Sequence, residues 1–218
     1  YINYKVLAPL NLPKYKNIVI TWGFEKDFKT NGSFFDRYFK VNSDELEKTL
    51  WIVIYMDKKN PKKLKNNIIL FKKIKKISFN FIPILKLILE NILILFKEPK
   101  LFLFSISNHN FFSNIFMREI TKFLNKDINT IITPYEGQPF QKKLIKFISN
   151  KFKKIKLVGY IHTPPMAMPV NFLYKLHSLQ KIILNGKDQI FCFTKYLGWN
   201  KKNIIFLPSF RFSIKKSN

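Results

Sequence analysis

Two stretches decide how this chain reads: Thr130-Ile131-Ile132-Thr133-Pro134-Tyr135-Glu136-Gly137-Gln138-Pro139 and Lys156-Leu157-Val158-Gly159-Tyr160-Ile161-His162-Thr163-Pro164-Pro165. Each is a β-branched or aromatic run that reaches a titratable side chain and is then stopped by proline. In an open α/β sheet the C-terminal ends of parallel strands are where ligands bind, because loops there can be reshaped without disturbing the core. A carboxylate and an imidazole at two such ends make Glu136 and His162 the leading candidates for acid–base chemistry.

Outward from these, similar runs occur at residues 18–22, 50–55, 101–105 and 189–194, with a shorter one at 67–71. Amphipathic patterns fill intervals between them, at 114–124 and 140–152. Strands alternating with helices predict an α/β fold, a Rossmann-like, doubly wound, mostly parallel sheet with helices on both faces. Pro139 opens the helix behind Glu136, and Leu144, Ile145, Ile148 and Phe152 form its apolar stripe. The positive end of that helix then lies near Glu136 and Gln138 and favours an ionised carboxylate. The run at 203–212 reads as a strand leaving the domain, which divides the chain into a Rossmann-like unit at 1–203 and a crossover strand with the start of a further domain at 204–218.

Each candidate has a plainer structural role open beside the chemical one. Glu136 could cap the helix that follows, with Gly137 allowing close backbone approach. His162 could be a loop histidine that only fixes its turn, or a base with a pKa near neutrality. Arg37 is one of only three arginines and adjoins Asp36, which fits a bidentate role that lysine cannot fill, either toward a ligand or as an ion pair holding a loop. Trp22 ends a strand run and Thr163 follows His162, placing both at a ligand-facing edge. His109 reads as another strand-end loop residue and His177 as part of a helix. The chain contains no Walker A loop, Gly-x-Gly-x-x-Gly, His-Glu-x-x-His or Gly-x-Ser-x-Gly, so no cofactor and no metal site is expected.

The formal charge of +26 would suit a polyanion partner, or reflect lysine accumulated at solvated positions under an AT-rich codon composition, since it travels with abundant Asn, Ile and Phe and only six Gly. With only Arg37, Arg118 and Arg211 among 39 basic residues, base reading is disfavoured and nucleic acid is not the expected partner. An anionic membrane surface fits lysine better. The apolar run at 79–96 is interrupted by Pro83, Lys86, Glu90 and Asn91, so it reads as an amphipathic helix, buried or facing a membrane, with Lys86 and Glu90 paired one turn apart, rather than as a span. Cys192, the sole cysteine, sits in an apolar run and is expected to be buried, which excludes an internal disulfide. The chain opens on Tyr1 with no secretory leader pattern, and a cytoplasmic location, peripheral at the inner face of the cell membrane, is the expectation.

Several motifs occur in an order that resembles a family of glycosyltransferases from bacterial surface-carbohydrate loci, of the O-antigen type. They are Thr21-Trp22-Gly23, Gly32-Ser33-Phe34-Phe35-Asp36-Arg37-Tyr38-Phe39, Thr49-Leu50-Trp51 with Tyr55, Tyr135-Glu136-Gly137-Gln138-Pro139-Phe140, Gly159-Tyr160-Ile161-His162-Thr163 and Pro208-Ser209-Phe210-Arg211-Phe212. The resemblance implies the N-terminal, acceptor-side domain of a glycosyltransferase B fold. It implies transfer from a nucleotide-sugar donor to a glycan or lipid-linked acceptor, with Glu136 or His162 as base. Trp22, Arg37, Gln138, Thr163 and Arg211 would contact substrate. The donor would bind on a C-terminal domain absent from these residues, so this stretch alone is expected to be inactive. Phe140 and Gln141 stand where the resemblance implies a tryptophan-like residue and a second carboxylate, which leaves Glu136 as the carboxylate of that motif. The reading from a different class is a non-enzymatic basic module for anionic membrane or nucleic acid.

Overall fold

A computed structural model describes residues 3–46, 48–74, 81–162, 170–175 and 178–210. Its strands begin with β1 (Asn3–Leu7), β2 (Asn17–Gly23), a small hairpin of β3 (Phe35–Asp36) and β4 (Val41–Asn42), then β5 (Thr49–Tyr55) and β6 (Ile68–Ile74). Three helices follow, α1 (Phe81–Lys97), α2 (Pro99–Ser105) and α3 (Asn108–Ile120). The second half runs β7 (Thr130–Pro134), α4 (Pro139–Lys151), β8 (Lys156–Tyr160), β9 (Lys181–Leu184), α5 (Lys187–Lys195) and β10 (Ile204–Phe206).

Eight strands form one sheet in the order β1-β6-β5-β2-β7-β8-β9-β10, parallel throughout except that β1 runs antiparallel to β6. All seven residues of β5 are buried, as a central parallel strand covered on both faces requires. From β2 the chain builds outward to β5 and β6 on one side, then returns to lay β7, β8, β9 and β10 on the other. The fold is thus an α/β sheet with Rossmann-like strand order, and the order reverses between β2 and β7.

The two faces are closed differently. Ile18, Ile20, Leu50, Ile52 and Ile54 alternate onto the face covered by Phe116 and Ile120 of α3, Leu144, Ile145 and Ile148 of α4, and Phe193 of α5. Val19, Trp51, Val53, Tyr55, Ile68 and Leu70 point the other way. Around β5 and β6 that face is closed by Phe28, Phe34, Phe39, Val41 and Leu64 from the β3–β4 hairpin and loops, rather than by helices as expected. The reason lies in residues 28–43, where aromatic residues alternate with Asn31, Gly32 and Ser33 and no helical period develops. Gly32 takes the left-handed turn conformation at φ 87° that this layout needs.

Two expected strands are helices. Residues 101–105 lie in α2, which Pro99 opens at its first turn, a helix-start signal that overrides the apolar run. Residues 189–194 lie in α5, where Phe193 is buried and Phe191 is 53 % exposed, a one-face pattern. The true strand is β9, just before the Asn185-Gly186 turn, and Gln189 accepts the Asn185 amide at 2.9 Å across that turn. Cys192 is therefore half-buried rather than buried. His109 is exposed near the start of α3 instead of on a strand-end loop. The run at 203–212 yields a three-residue strand, β10, that pairs in parallel with β9 at the sheet edge. His177, Thr163 and Arg211 lie outside the described residues.

Gly159 in β8 has no room for a side chain: a Cβ there would come within 2.4 Å of Leu179 Cδ1 and 2.8 Å of Tyr135 Cβ. Gly159→Ala is expected to lower the unfolding free energy in urea by about 1–3 kcal/mol through overpacking. A variant as stable as the parent would show that β8 and Tyr135 are less tightly packed than described.

Candidate functional site

The reversal of strand order leaves a crevice beyond the C-terminal ends of β2 and β7, and a pocket of about 390 Å³ lies at that edge. Trp22, Phe24, Asp27, Arg37, Tyr38, Lys40 and His162 line it. Trp22 and Phe24 come from the end of β2, His162 from the end of β8, and Arg37, Tyr38 and Lys40 from the tip of the β3–β4 hairpin.

The hairpin tip is held over the edge by a buried carboxylate. Asp36 is fully buried, and its Oδ1 accepts the amides of Tyr38 at 2.7 Å and Phe39 at 2.8 Å, closing the turn. Its Oδ2 and the Thr21 hydroxyl make no hydrogen bond of normal geometry among the described residues, although Thr21 is near enough to favour the ionised form. Burial pushes the Asp36 carboxyl above its ordinary range; Thr21 and the Phe39 and Tyr38 amides oppose this, while the charge of Asp27 adds to it. The turn ends on Lys40 at φ 56°, a left-handed conformation that a lysine adopts only when the surrounding contacts impose it. Those contacts are Tyr38 edge-on to His162 at 4.6 Å, and Phe39 against Tyr160 at 5.4 Å between ring centroids.

Arg37 does form a bidentate ion pair, but with Asp27 rather than its neighbour Asp36. Its Nε and Nη2 both donate to the Asp27 carboxylate, the latter at 2.8 Å, and the guanidinium lies over the Phe24 ring at 4.9 Å. The Asp27 hydrogen bonds, ahead of its charge, raise the Arg37 pKa further. Asp27 also accepts the Phe24 amide at 2.9 Å, so one carboxylate joins the end of β2 to the hairpin. Because Asp27 balances Arg37, Lys40 is the uncompensated basic side chain of the pocket wall among the described residues.

Glu136 and His162 come together as the strand-end logic expects. Glu136 Oε1 lies 3.8 Å from His162 Nε2, with His162 only 13 % exposed and Glu136 43 % exposed. That separation exceeds a hydrogen bond, yet one oxygen can sit within hydrogen-bond reach of both atoms. Gln138 donates to Glu136 Oε2 at 2.7 Å and occupies the cap position of α4, so Glu136 is not the helix cap. Trp22 is half-buried and meets Tyr38 and Phe140 edge-on at 6.1 and 6.0 Å. Gly137 has φ 69° and faces Asn171, where an added Cβ would approach to 2.7 Å, so its close approach serves the protein's own packing.

The residue that shapes the glutamate loop is Gln141, which is 1 % exposed. Its Oε1 accepts the amides of Glu136 and Gln138, each at 3.1 Å, and its Nε2 donates to the Pro134 carbonyl at 2.7 Å. A carboxylate there would serve the two amides but would set its charge against that carbonyl. Asp27, Phe24, Tyr38 and Lys40 also belong to the site without having been singled out from the sequence. Tyr38 had a signal, being next to the rare Arg37, whereas Lys40 is one of 39 basic residues with nothing to mark it. Among the described residues no group of three or more histidine, cysteine or acidic side chains is arranged to hold a metal ion.

A carboxyl whose folded pKa is raised favours the folded state most when protonated; that contribution is present below the ordinary carboxylate range and is lost as pH rises through the raised value. Asp36→Asn keeps an acceptor for the two amides without the buried charge. Its stability relative to the parent is therefore expected to rise as pH increases above the ordinary carboxylate range, about pH 4. Asp36→Ala, which strands the Tyr38 and Phe39 amides, should cost about 1–3 kcal/mol or more. Urea unfolding across pH measures both, and an Asn-to-parent difference that does not change with pH contradicts the assignment.

No family model, curated protein or solved structure matches the chain.

Proposed function

We propose that this chain is the acceptor-side domain of a glycosyltransferase of the B type, acting on a surface-polysaccharide or lipid-linked acceptor at the inner face of the cell membrane. The observation that carries the reading is the Glu136–His162 pair, 3.8 Å apart at the strand-end edge and beside a pocket walled by Trp22, Phe24 and Tyr38. Aromatic walls with a few convergent polar groups suit a sugar ring, whose faces are apolar and whose edge is hydroxylated. The rank order of strands supports the same reading, because ligands of such sheets bind where the order reverses.

In this mechanism an acceptor hydroxyl lies between Glu136 and His162. One of them takes its proton as the oxygen attacks the anomeric carbon, and the other stabilises the resulting charge. The bond from that carbon to the nucleoside diphosphate breaks, and the leaving group carries its electron pair away. The donor would bind on a second α/β domain facing this edge. Lys40, rather than the Asp27-bound Arg37, is the cation of this wall best suited to an anionic substrate group.

Sugar transfer by the full protein tests the proposal, with Glu136→Gln and His162→Ala compared at matched folding by circular dichroism. Loss of the base is expected to lower turnover by about 10²–10⁴-fold, and removal of its partner by a smaller factor. Near-normal turnover in both variants would remove the mechanism. Polyanion binding that falls steeply with salt, unaccompanied by any transfer, would favour a binding module instead.

A further inference from the structure

The link between β6 and β7 carries an excursion that the sheet does not need. β6 ends at the C-terminal edge of the sheet, and α3 runs from there back toward the start of β7, so the α1–α2 hairpin is inserted at the edge that holds the pocket. The two helices pack on each other, with Phe102 buried and Ile88 and Ile94 half-buried. On the outside, Leu89 is 58 %, Leu93 74 % and Phe96 79 % exposed, and Leu103 and Phe104 are 66 % and 72 % exposed. Leu89, Leu93 and Phe96 follow one another at four and three residues, on one helix face. Exposed apolar surface this concentrated marks a face that is covered in use.

Charge selects what covers it. The hairpin exposes Lys86, Lys97 and Lys100 beside Glu90, which pairs with Lys86, and Glu98, and the preceding stretch of sequence, 58–76, adds nine lysines and no carboxylate. A second copy would bring the same excess of 39 basic over 13 acidic residues and be repelled. An anionic lipid surface complements both features, since it attracts lysine as a point charge and accepts apolar side chains below its headgroups.

We propose that the α1–α2 hairpin seats the protein on an anionic bilayer. Leu93, Phe96, Leu103 and Phe104 enter the acyl boundary, and Lys97 and Lys100 meet the headgroups. Among the described residues no helix is long and apolar enough to cross a membrane, so the hairpin lies in the interface. The pocket opens on the same edge, so a lipid-carried acceptor can reach it from the membrane plane. That last consequence rests on the transferase reading, whereas the docking does not.

Flotation of the full chain with phosphatidylcholine vesicles, with and without phosphatidylglycerol, tests the proposal at low and high salt. Binding to the anionic vesicles is expected to be tighter by about tenfold or more, a gap that narrows as salt rises. A Leu93→Glu, Phe96→Glu, Phe104→Glu variant should lose about tenfold or more with an unchanged circular dichroism spectrum. Lys97→Glu with Lys100→Glu, which keeps the apolar surface, should lose most of the preference for anionic lipid. Equal binding to both vesicles, absence of binding, or parental affinity in both variants overturns the proposal. So does a lipid-free dimer that the apolar variant converts to monomer, because the hairpin would then be a self-association surface. Loss of sugar transfer in the site variants with vesicle binding intact, or the reverse, separates the two readings.

Discussion

The constraint on which the rest depends is the handedness of crossovers between parallel strands. Right-handed connections that build one way from β2 to β5 and β6 must lie on one face, and those that build the other way from β7 through β10 must lie on the opposite face. The connections therefore part above β2 and β7. The pocket exists because of this divergence, and the side chains around it are those that the neighbouring segments can reach.

The half of the sheet that lacks covering helices supplies most of that wall. Phe28 and Phe34 meet Tyr55 and Trp51 edge-on to close the core, with ring centroids 5.9 and 5.8 Å apart, while the hairpin that follows them carries Arg37, Tyr38 and Lys40 over the edge. Two carboxylates with different roles fix this piece. Asp27 is charge-balanced by Arg37 and joins the hairpin to β2, whereas Asp36 is buried and closes the turn through one oxygen, Oδ1. A loop of this length without such anchors would hold its side chains in many positions, and a pocket of defined shape would not form.

The strands nearest the middle of the sheet were legible because burial on both faces leaves continuous apolar runs, as at β2, β5, β7 and β8. The edges were not. β1 alternates polar and apolar residues over a short span, and β9 was hidden by the adjacent apolar run of α5, whose period only burial reveals. The pairing of Glu136 with His162 was within reach, since neighbouring parallel strands β7 and β8 bring their ends together. The partnership of Arg37 with Asp27 was not, because it depends on how a non-helical segment folds back. Nor was the helix face at Leu93 and Phe96, since periodicity reports an apolar stripe without saying what covers it.

The four-residue tip between Asp36 and Val41 separates two kinds of evolutionary change. Phe39 and Tyr38 pack on the β8–β9 cluster, Asp36 locks the turn and Arg37 is tied to Asp27, so those positions bear on folding, whereas Lys40 faces the pocket from outside the sheet. Replacement at Lys40 can alter what the pocket accepts while leaving the apolar layers intact. A scaffold arranged this way can diversify its ligands through a short, surface-borne stretch of chain without first accumulating stabilising changes elsewhere.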